Sequence, residues 1–351
     1  MSDYKLIHGD SLAVLPTMAA NSIDLIFVDP PYFRVKDEPW DRQWETPAGF
    51  LAWMDTVLEQ FQRVLAPNGS LYLCASTRMA ARVEVLIAER FNVLNHIVWD
   101  KPWGRAEGAE KEALRAFFSQ SERIIFADHY NSDNIALGGS GYAAKCDELR
   151  GFVFEPLRAY LDGERRRAGV GQSQIMEWFA GGGYPKYVTA RHSFTQSQWE
   201  LPTEENYRRL RQCFHDLNHG GAYLRREYED LRRPFNVTPD VPYTDVWTFP
   251  TVQGYPGKHP CEKPPELLEH IITASSRPGA LVLDCFMGSG NTGIAARKLG
   301  RRFIGIDESV YWYRTAGRRI AKAAQMAAGE FVTKAGKVSD FDGLPMFGGG
   351  E

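Results

Sequence analysis

The sequence predicts an α/β fold: a mostly parallel sheet of about seven strands, interrupted by a helical insert. Three observations carry this. Continuous apolar runs such as Ile23–Val28 (IDLIFV) are of the kind found in strands buried on both faces. These runs alternate with stretches of helical spacing, and strand–helix–strand alternation builds parallel sheets covered by helices. The alternation stops near Asp147 and resumes after Tyr255, so one sheet is assembled from two separated parts of the chain.

In order, Tyr4–His8 is a short apolar strand leading into Gly9-Asp10-Ser11 and a helical stretch. Ile23–Val28 is the next strand. Residues 46–65 have helical spacing and open with Thr46-Pro47, a capping and first-turn pair. Pro67-Asn68-Gly69 reads as a turn into the strand Ser70–Cys74, and Val93–Trp99 and Arg123–Ala127 read as further strands. From Asp147 to Phe235 helical patterns take over: Glu155–Gly169, Gln172–Ala180, Pro185–Ser193 and Thr203–Phe214. A Gly181–Gly183 break and a Pro-rich exit (Pro234, Pro239, Pro242) punctuate that segment. The α/β pattern then returns as helix Pro265–Ser275, strand Ala280–Cys285, helix Thr292–Leu299 and strand Arg302–Ile306. The division is a first α/β part over 1–146, a helical region over 147–240, a second α/β part over 241–330 and a loose tail over 331–351.

At 351 residues, 44% hydrophobic and 24% charged, the chain can bury a full core. No apolar run approaches the ~20 residues of a membrane span, and MSDYKLIHGDS lacks the regions of a signal peptide. The five cysteines are scattered without metal-ligand spacing, so the expectation is a reduced, cytoplasmic protein with no metal site. Net charge is -3, yet the stretch from Arg150 to Phe235 holds 14 Lys and Arg against 11 Asp and Glu. Positive charge is concentrated where a polyanion could be gripped, although an Arg-rich helical face is also ordinary solvated surface.

Asp29-Pro30-Pro31-Tyr32 follows the buried strand directly. Two prolines end the ladder and fix a loop at the sheet edge where open α/β folds place ligands. An acid, a fixed carbonyl and an aromatic ring are thereby presented together. That set suits activation of an exocyclic amine whose lone pair is delocalised into a base. Asp29 and the Pro30 carbonyl would accept its two hydrogens, and Tyr32 would stack on a base swung out of the duplex. The bland alternative is a strand-ending turn.

The second signal is Asp284-Cys285-Phe286-Met287-Gly288-Ser289-Gly290-Asn291-Thr292, set between a strand and a helix. Gly288 and Gly290 permit close backbone approach to a ligand. A second strand ends in Asp307, where an acid can accept both hydroxyls of a ribose. The spacing departs from the GxGxxG of dinucleotide sites, and the acid at Asp284 suits a cationic ligand without phosphate, such as S-adenosylmethionine.

With these motifs in order, the chain resembles the β-class of DNA amino-methyltransferases, in which DPPY comes first and an FxGxG turn comes last. His259-Pro260-Cys261-Glu262-Lys263-Pro264 is similar to the family's HPxxKP segment beside the cofactor, and Gly9-Asp10-Ser11 to its strand-end motif. Cys285-Phe286-Met287 departs from the family's frequent Pro-Phe-Ala but keeps an apolar wall. The resemblance implies a Rossmann-like methyltransferase sheet, S-adenosylmethionine as cofactor and double-stranded DNA as partner. It further implies a homodimer and a cytoplasmic, nucleoid-associated place in a bacterium. Asp10, Ser11, Asp29, His259, Lys263, Asp284, Phe286, Gly288, Ser289, Gly290, Asn291, Thr292 and Asp307 are its cofactor candidates; Asp29, Pro30, Pro31 and Tyr32 are catalytic. Asp29, where variants carry Ser, favours adenine N6 over cytosine N4.

Residues 155–215 also resemble a phage-repressor helix-turn-helix, with a lengthened turn; a helical bundle packing its Trp and Phe inward is the alternative. Candidates for DNA contact are Gln172, Gln174, Lys186, Tyr187, Thr189, Arg191 and His192, joined by Arg34 and Lys36 in the Phe33–Trp44 loop. A cytosine-N4 or RNA methyltransferase and a non-catalytic DNA-binding regulator stay open as rivals.

Overall fold

The computed structural model describes residues 3–102, 119–129, 155–183, 201–235 and 244–335, with short pieces at 117, 193–195 and 199. Its strands are β1 (Tyr4–His8), β2 (Ile23–Val28), β3 (Leu65–Ala75), β4 (Asn92–Asp100), β5 (Ser121–Asp128), β6 (Val246–Thr248), β7 (Leu281–Asp284) and β8 (Arg302–Asp307). They form one sheet in the order β1-β8-β7-β2-β3-β5-β4-β6. Only β5 runs against the others. Two parts of the chain therefore interleave, with β7 and β8 inserted between β1 and β2.

The helices are α1 (Ser11–Val14), α2 (Pro47–Val64), α3 (Ala80–Ala88), α4 (Glu155–Arg167), α5 (Gln172–Gly181), α6 (Glu204–Leu217), α7 (Pro265–Ser275), α8 (Asn291–Lys298) and α9 (Val310–Ala335). α2 starts as its sequence dictates: Thr46 caps it by accepting the Gly49 N–H at 3.1 Å, with Pro47 in the first turn. α9 runs on to Ala335, past residue 330 where the sequence reading begins a tail.

Alternation explains the continuous apolar runs. On β2, Ile26 and Val28 pack with Phe50, Met54 and Phe61 of α2, while Leu25 and Phe27 pack with Leu267 and Ile271 of α7. On β3, Leu71 and Leu73 face the first layer, Tyr72 and Cys74 the second. The predicted turn Pro67-Asn68-Gly69 is instead absorbed into β3 as an irregularity. Ile23 pairs with Leu65 and Leu25 with Ser70, so several β3 residues oppose one of β2. Helix α3 and the three-residue β6 were not foreseen; β6 is too short to show a period.

The helical segment has its own core, in which Phe179, Phe194, Trp199 and Phe214 are all buried. It meets the sheet at the edge where the parallel strands begin: Arg233 pairs with Asp128 at 2.9 Å and Arg277 donates to the Arg232 carbonyl at 3.1 Å. The expected helix Pro185–Ser193 lies outside the described residues except at its last position.

Candidate active site

Because the parallel strands all end on one edge, the loops after β1, β2, β7 and β8 converge there. β1 delivers Asp10 and Ser11, β2 delivers Asp29 to Tyr32, β7 delivers Cys285, Phe286 and Gly288, and β8 ends in Asp307. All of them line one cavity of about 300 Å³.

The Gly288 turn is built for close approach. Gly288 sits at φ +48°, and a Cβ there would meet the His259 ring at 3.2 Å. Asp307 accepts the Gly288 N–H at 2.8 Å through Oδ2 and the Ser309 N–H at 2.9 Å through Oδ1. Burial nevertheless pushes its carboxyl up to about 6. Behind the turn, Asp284 accepts the Phe286 N–H at 3.0 Å and the Thr292 hydroxyl at 2.6 Å, and burial pushes it up to about 7. Asn291 donates to Glu262 Oε1 at 2.9 Å and to the Lys263 carbonyl at 2.8 Å, fastening the turn to the His259–Pro264 segment. Arg319 holds the Ser289 carbonyl at 2.8 Å, and Gly290, at φ +84°, lies against Ala316.

The cofactor candidates thus divide by position. Asp10, Ser11, Asp29, His259, Phe286, Gly288 and Asp307 line the cavity, while Asp284, Ser289, Gly290, Asn291 and Thr292 frame it from behind. Ser11 donates to the Cys285 carbonyl at 2.5 Å, and Asp10 caps α1 by accepting the Leu12 N–H at 3.0 Å.

The cavity is acidic and aromatic. Asp10, Asp29, Asp41, Asp307 and Glu308 face it, against Lys36 as the cation among its lining residues. Burial lowers His259 to about 4, so the ring is neutral; its Nδ1 accepts the Cys261 N–H at 3.2 Å, which leaves the proton on Nε2. Trp312 meets that ring edge-on at 4.6 Å and Trp40 stacks at 6.4 Å. Aromatic walls with negative charge and no phosphate-gripping cluster fit a nucleoside that carries positive charge.

Lys263 is placed elsewhere, on the Asp29 carboxylate. It is 6% exposed, its Nζ lies 2.5 Å from Asp29 Oδ2 and 3.3 Å from Glu122 Oε2, and it sits above the Tyr32 ring at 5.3 Å. The Tyr32 hydroxyl lies 2.5 Å from Asp29 Oδ1 and 3.0 Å from Glu122 Oε2, and it accepts from Lys263 at 3.2 Å. Lys101 completes the chain by donating to Glu122 Oε1 at 2.8 Å. Burial raises the Asp29 carboxyl above the usual carboxylate range; Lys263 opposes this and the Glu122 charge adds to it. Burial also works to raise Glu122, but Lys263 and Lys101 outweigh it and hold that group at about 2. Tyr32 lines both the acidic cavity and a neighbouring basic one of about 500 Å³, where Arg34, Lys36, Arg78, Lys101 and Lys258 are found.

Glu122 and Lys101 were missed because they lie on β4–β5, far in sequence from either motif; the only trace is an acid opening the apolar run Arg123–Ala127. Asp41 was missed as well. It is wholly buried, and its carboxylate accepts the N–H groups of Tyr32, Val35 and Lys36, each at 2.6 Å.

Of the DNA-contact candidates, Gln172 opens α5 and Gln174 is exposed, its Oε1 accepting the Gly171 N–H at 2.8 Å. Lys186, Tyr187, Thr189, Arg191 and His192 lie outside the described residues.

Among known proteins, the DNA adenine methyltransferase YhdJ of Escherichia coli (strain K12) is 27% identical over 333 residues, spanning 93% of this chain and 85% of that protein. The type II methyltransferase M2.DpnII of Streptococcus pneumoniae is 27% identical over 336 residues, spanning 90% and 88%. In three dimensions the cytosine-N4-specific PvuII DNA methyltransferase shares the fold, with a TM-score of 0.52 at 13% identity over 94% of each chain. The sequence profile of the N6/N4 DNA methylases matches residues 23–317, from the strand before Asp29 to beyond Asp307, and the chain belongs to this DNA methylase family.

Proposed function

We propose that this enzyme transfers a methyl group from S-adenosylmethionine to N6 of an adenine swung out of double-stranded DNA. The observation that carries it is the facing of Asp29–Tyr32 and Phe286–Gly288 across one acidic cavity. Phe286, Gly288 and Asp307 would hold the cofactor, which would supply an electrophilic methyl on a sulfonium. Asp10, Asp307 and Glu308 provide negative charge for its cationic groups. The similarity to YhdJ, which is named as a DNA adenine methyltransferase, supports N6 over cytosine N4.

The chain's own part is to present acceptors. Asp29 and the Pro30 carbonyl take the two hydrogens of the amine, which draws the nitrogen towards tetrahedral geometry and frees its lone pair. Each Asp29 oxygen keeps a lone pair beyond the one engaged by Tyr32 or Lys263. Those same partners hold the carboxylate still, so little reorganisation is needed at the transition state. After transfer, Asp29 takes the surplus proton, a role that suits a carboxyl raised by burial. The flipped base enters from the basic cavity past Tyr32, where Arg34 and Lys36 meet backbone phosphate.

The division into two catalytic parts, a helical recognition region and a tail belongs to the same reading, with Gln172, Gln174, Lys186, Tyr187, Thr189, Arg191 and His192 reading DNA. So do a cytoplasmic, nucleoid-associated location and a homodimer suited to a palindromic site. No helix of the described residues is long and apolar enough to cross a membrane. The test is transfer of labelled methyl to duplex DNA by wild type and Asp29→Ala, with mass spectrometry of the digest. N6-methyladenine from wild type only is expected. Equal activity in both refutes the site, N4-methylcytosine refutes the base, and no transfer by either refutes the reaction.

A further inference from the structure

The loop that follows the catalytic tetrapeptide is held in an unfavourable shape. Phe33 and Arg34 are consecutive, neither is glycine, and their φ angles are +63° and +59°. Left-handed backbone at two such positions in succession persists only where something overrides its cost. Asp41 is that something. Its Oδ1 accepts the Tyr32 N–H and its Oδ2 accepts those of Val35 and Lys36, all at 2.6 Å, while its own carbonyl accepts the Arg34 N–H at 2.8 Å. Four N–H groups of the Tyr32–Lys36 loop thus converge on one residue with no exposure to water. No Lys or Arg of the described residues pairs with that carboxylate; the backbone dipoles alone satisfy it, as in an anion-binding nest.

The position matters for chemistry. Tyr32, tied down by its N–H, carries the hydroxyl that fixes Asp29. Lys36, tied down by its own N–H, lines both cavities. Trp40, next to Asp41, stacks on His259 across the cofactor cavity. We infer that Asp41 is the positioning residue of the methyl-transfer site, its buried carboxylate holding the Tyr32–Lys36 loop in the one shape that places Asp29 and the cofactor wall together. This rests on the reaction proposed above.

The test separates the two. Hydrogen–deuterium exchange of residues 32–36 is measured in wild type and Asp41→Asn, together with turnover and the KM for S-adenosylmethionine. Asparagine keeps the size but turns one acceptor into a donor facing N–H groups. Exchange in 32–36 accelerates at least tenfold, kcat falls about a hundredfold and the KM moves less than fivefold. Asp37→Asn, at an exposed loop carboxylate that pairs with Arg42, leaves all three unchanged. In an Arg34→Gly background, where the left-handed position costs nothing, Asp41→Asn lowers kcat several-fold less than in wild type. An equal loss in both backgrounds, or unchanged exchange and kcat, overturns the inference. Asp41→Ser, which keeps an acceptor and adds no bulk, gives the same reading if Asp41→Asn does not accumulate as folded protein. If wild type transfers no methyl, the reaction fails while the exchange measurement still decides what Asp41 does.

Discussion

Replacing Lys263 by methionine removes one buried cation and leaves two carboxylates around a single hydroxyl. Tyr32 Oη lies 2.5 Å from Asp29 Oδ1 and 3.0 Å from Glu122 Oε2, so these oxygens are at most about 5.5 Å apart. At an effective dielectric constant of about 20, two unit charges at that distance repel by about 3 kcal/mol, a repulsion that Lys263 offsets in the wild type and that stands uncompensated in the variant. That corresponds to roughly a hundredfold change in proton affinity. Since Glu122 keeps Lys101 at 2.8 Å, the proton goes to Asp29. A protonated Asp29 accepts amine hydrogens poorly, so turnover of Lys263→Met falls, by up to about a hundredfold at pH values where the wild-type carboxylate is ionised and the variant's is not. The sign is fixed: an acid whose pKa is raised loses its proton later, so activity of the variant climbs with pH over a range where wild type is flat. Adding Glu122→Gln removes the repulsion and restores part of the loss. The assay is single-turnover methyl transfer from pH 5.5 to 9 for the three proteins. A variant with the wild-type profile, or a double variant no better than the single, refutes the reasoning.

Two further outcomes are expected. Asp307 is ionised above about 6 and protonated below it, so affinity for S-adenosylmethionine weakens as pH drops through that value. Calorimetric titration of wild type against Asp307→Asn checks this: the variant binds more weakly at pH 7.5 and shows a flatter pH dependence. Gly288→Ala forces a methyl group to 3.2 Å from His259 at a left-handed backbone position, at a cost of about 1–2 kcal/mol in stability. It lowers the melting temperature by about 1–3 °C and weakens cofactor binding at least tenfold; unchanged binding would mean that the turn does not touch the cofactor.

Much of this protein was legible in its residues. A strand buried on both faces announces itself as an apolar run, which is why Ile23–Val28 matches the observed strand end to end; the partly exposed edge strand Tyr4–His8 matches its short apolar stretch as well. Caps did the same for helices: Thr46-Pro47 opens α2, Thr203 caps α6 by accepting the Asn206 N–H, and Pro265 opens α7. The two motifs were legible because their chemistry sits within a few residues of one strand end each.

What stayed hidden depends on partners distant in the chain. Local pattern carries no record of the irregular pairing that takes Pro67-Asn68-Gly69 into β3, since a β2 neighbour decides it. Nor does it show that Lys263 turns from the cofactor turn towards Asp29, or that Glu122 and Asp41 belong to the site. Each is a buried or half-buried charge, and a charge survives burial only beside groups that the fold alone brings within 3 Å or so. Propensity and periodicity are local properties and were written along the chain. The electrostatic setting of Asp29 is a property of three strand ends and one loop meeting in space, and the tertiary structure decided it.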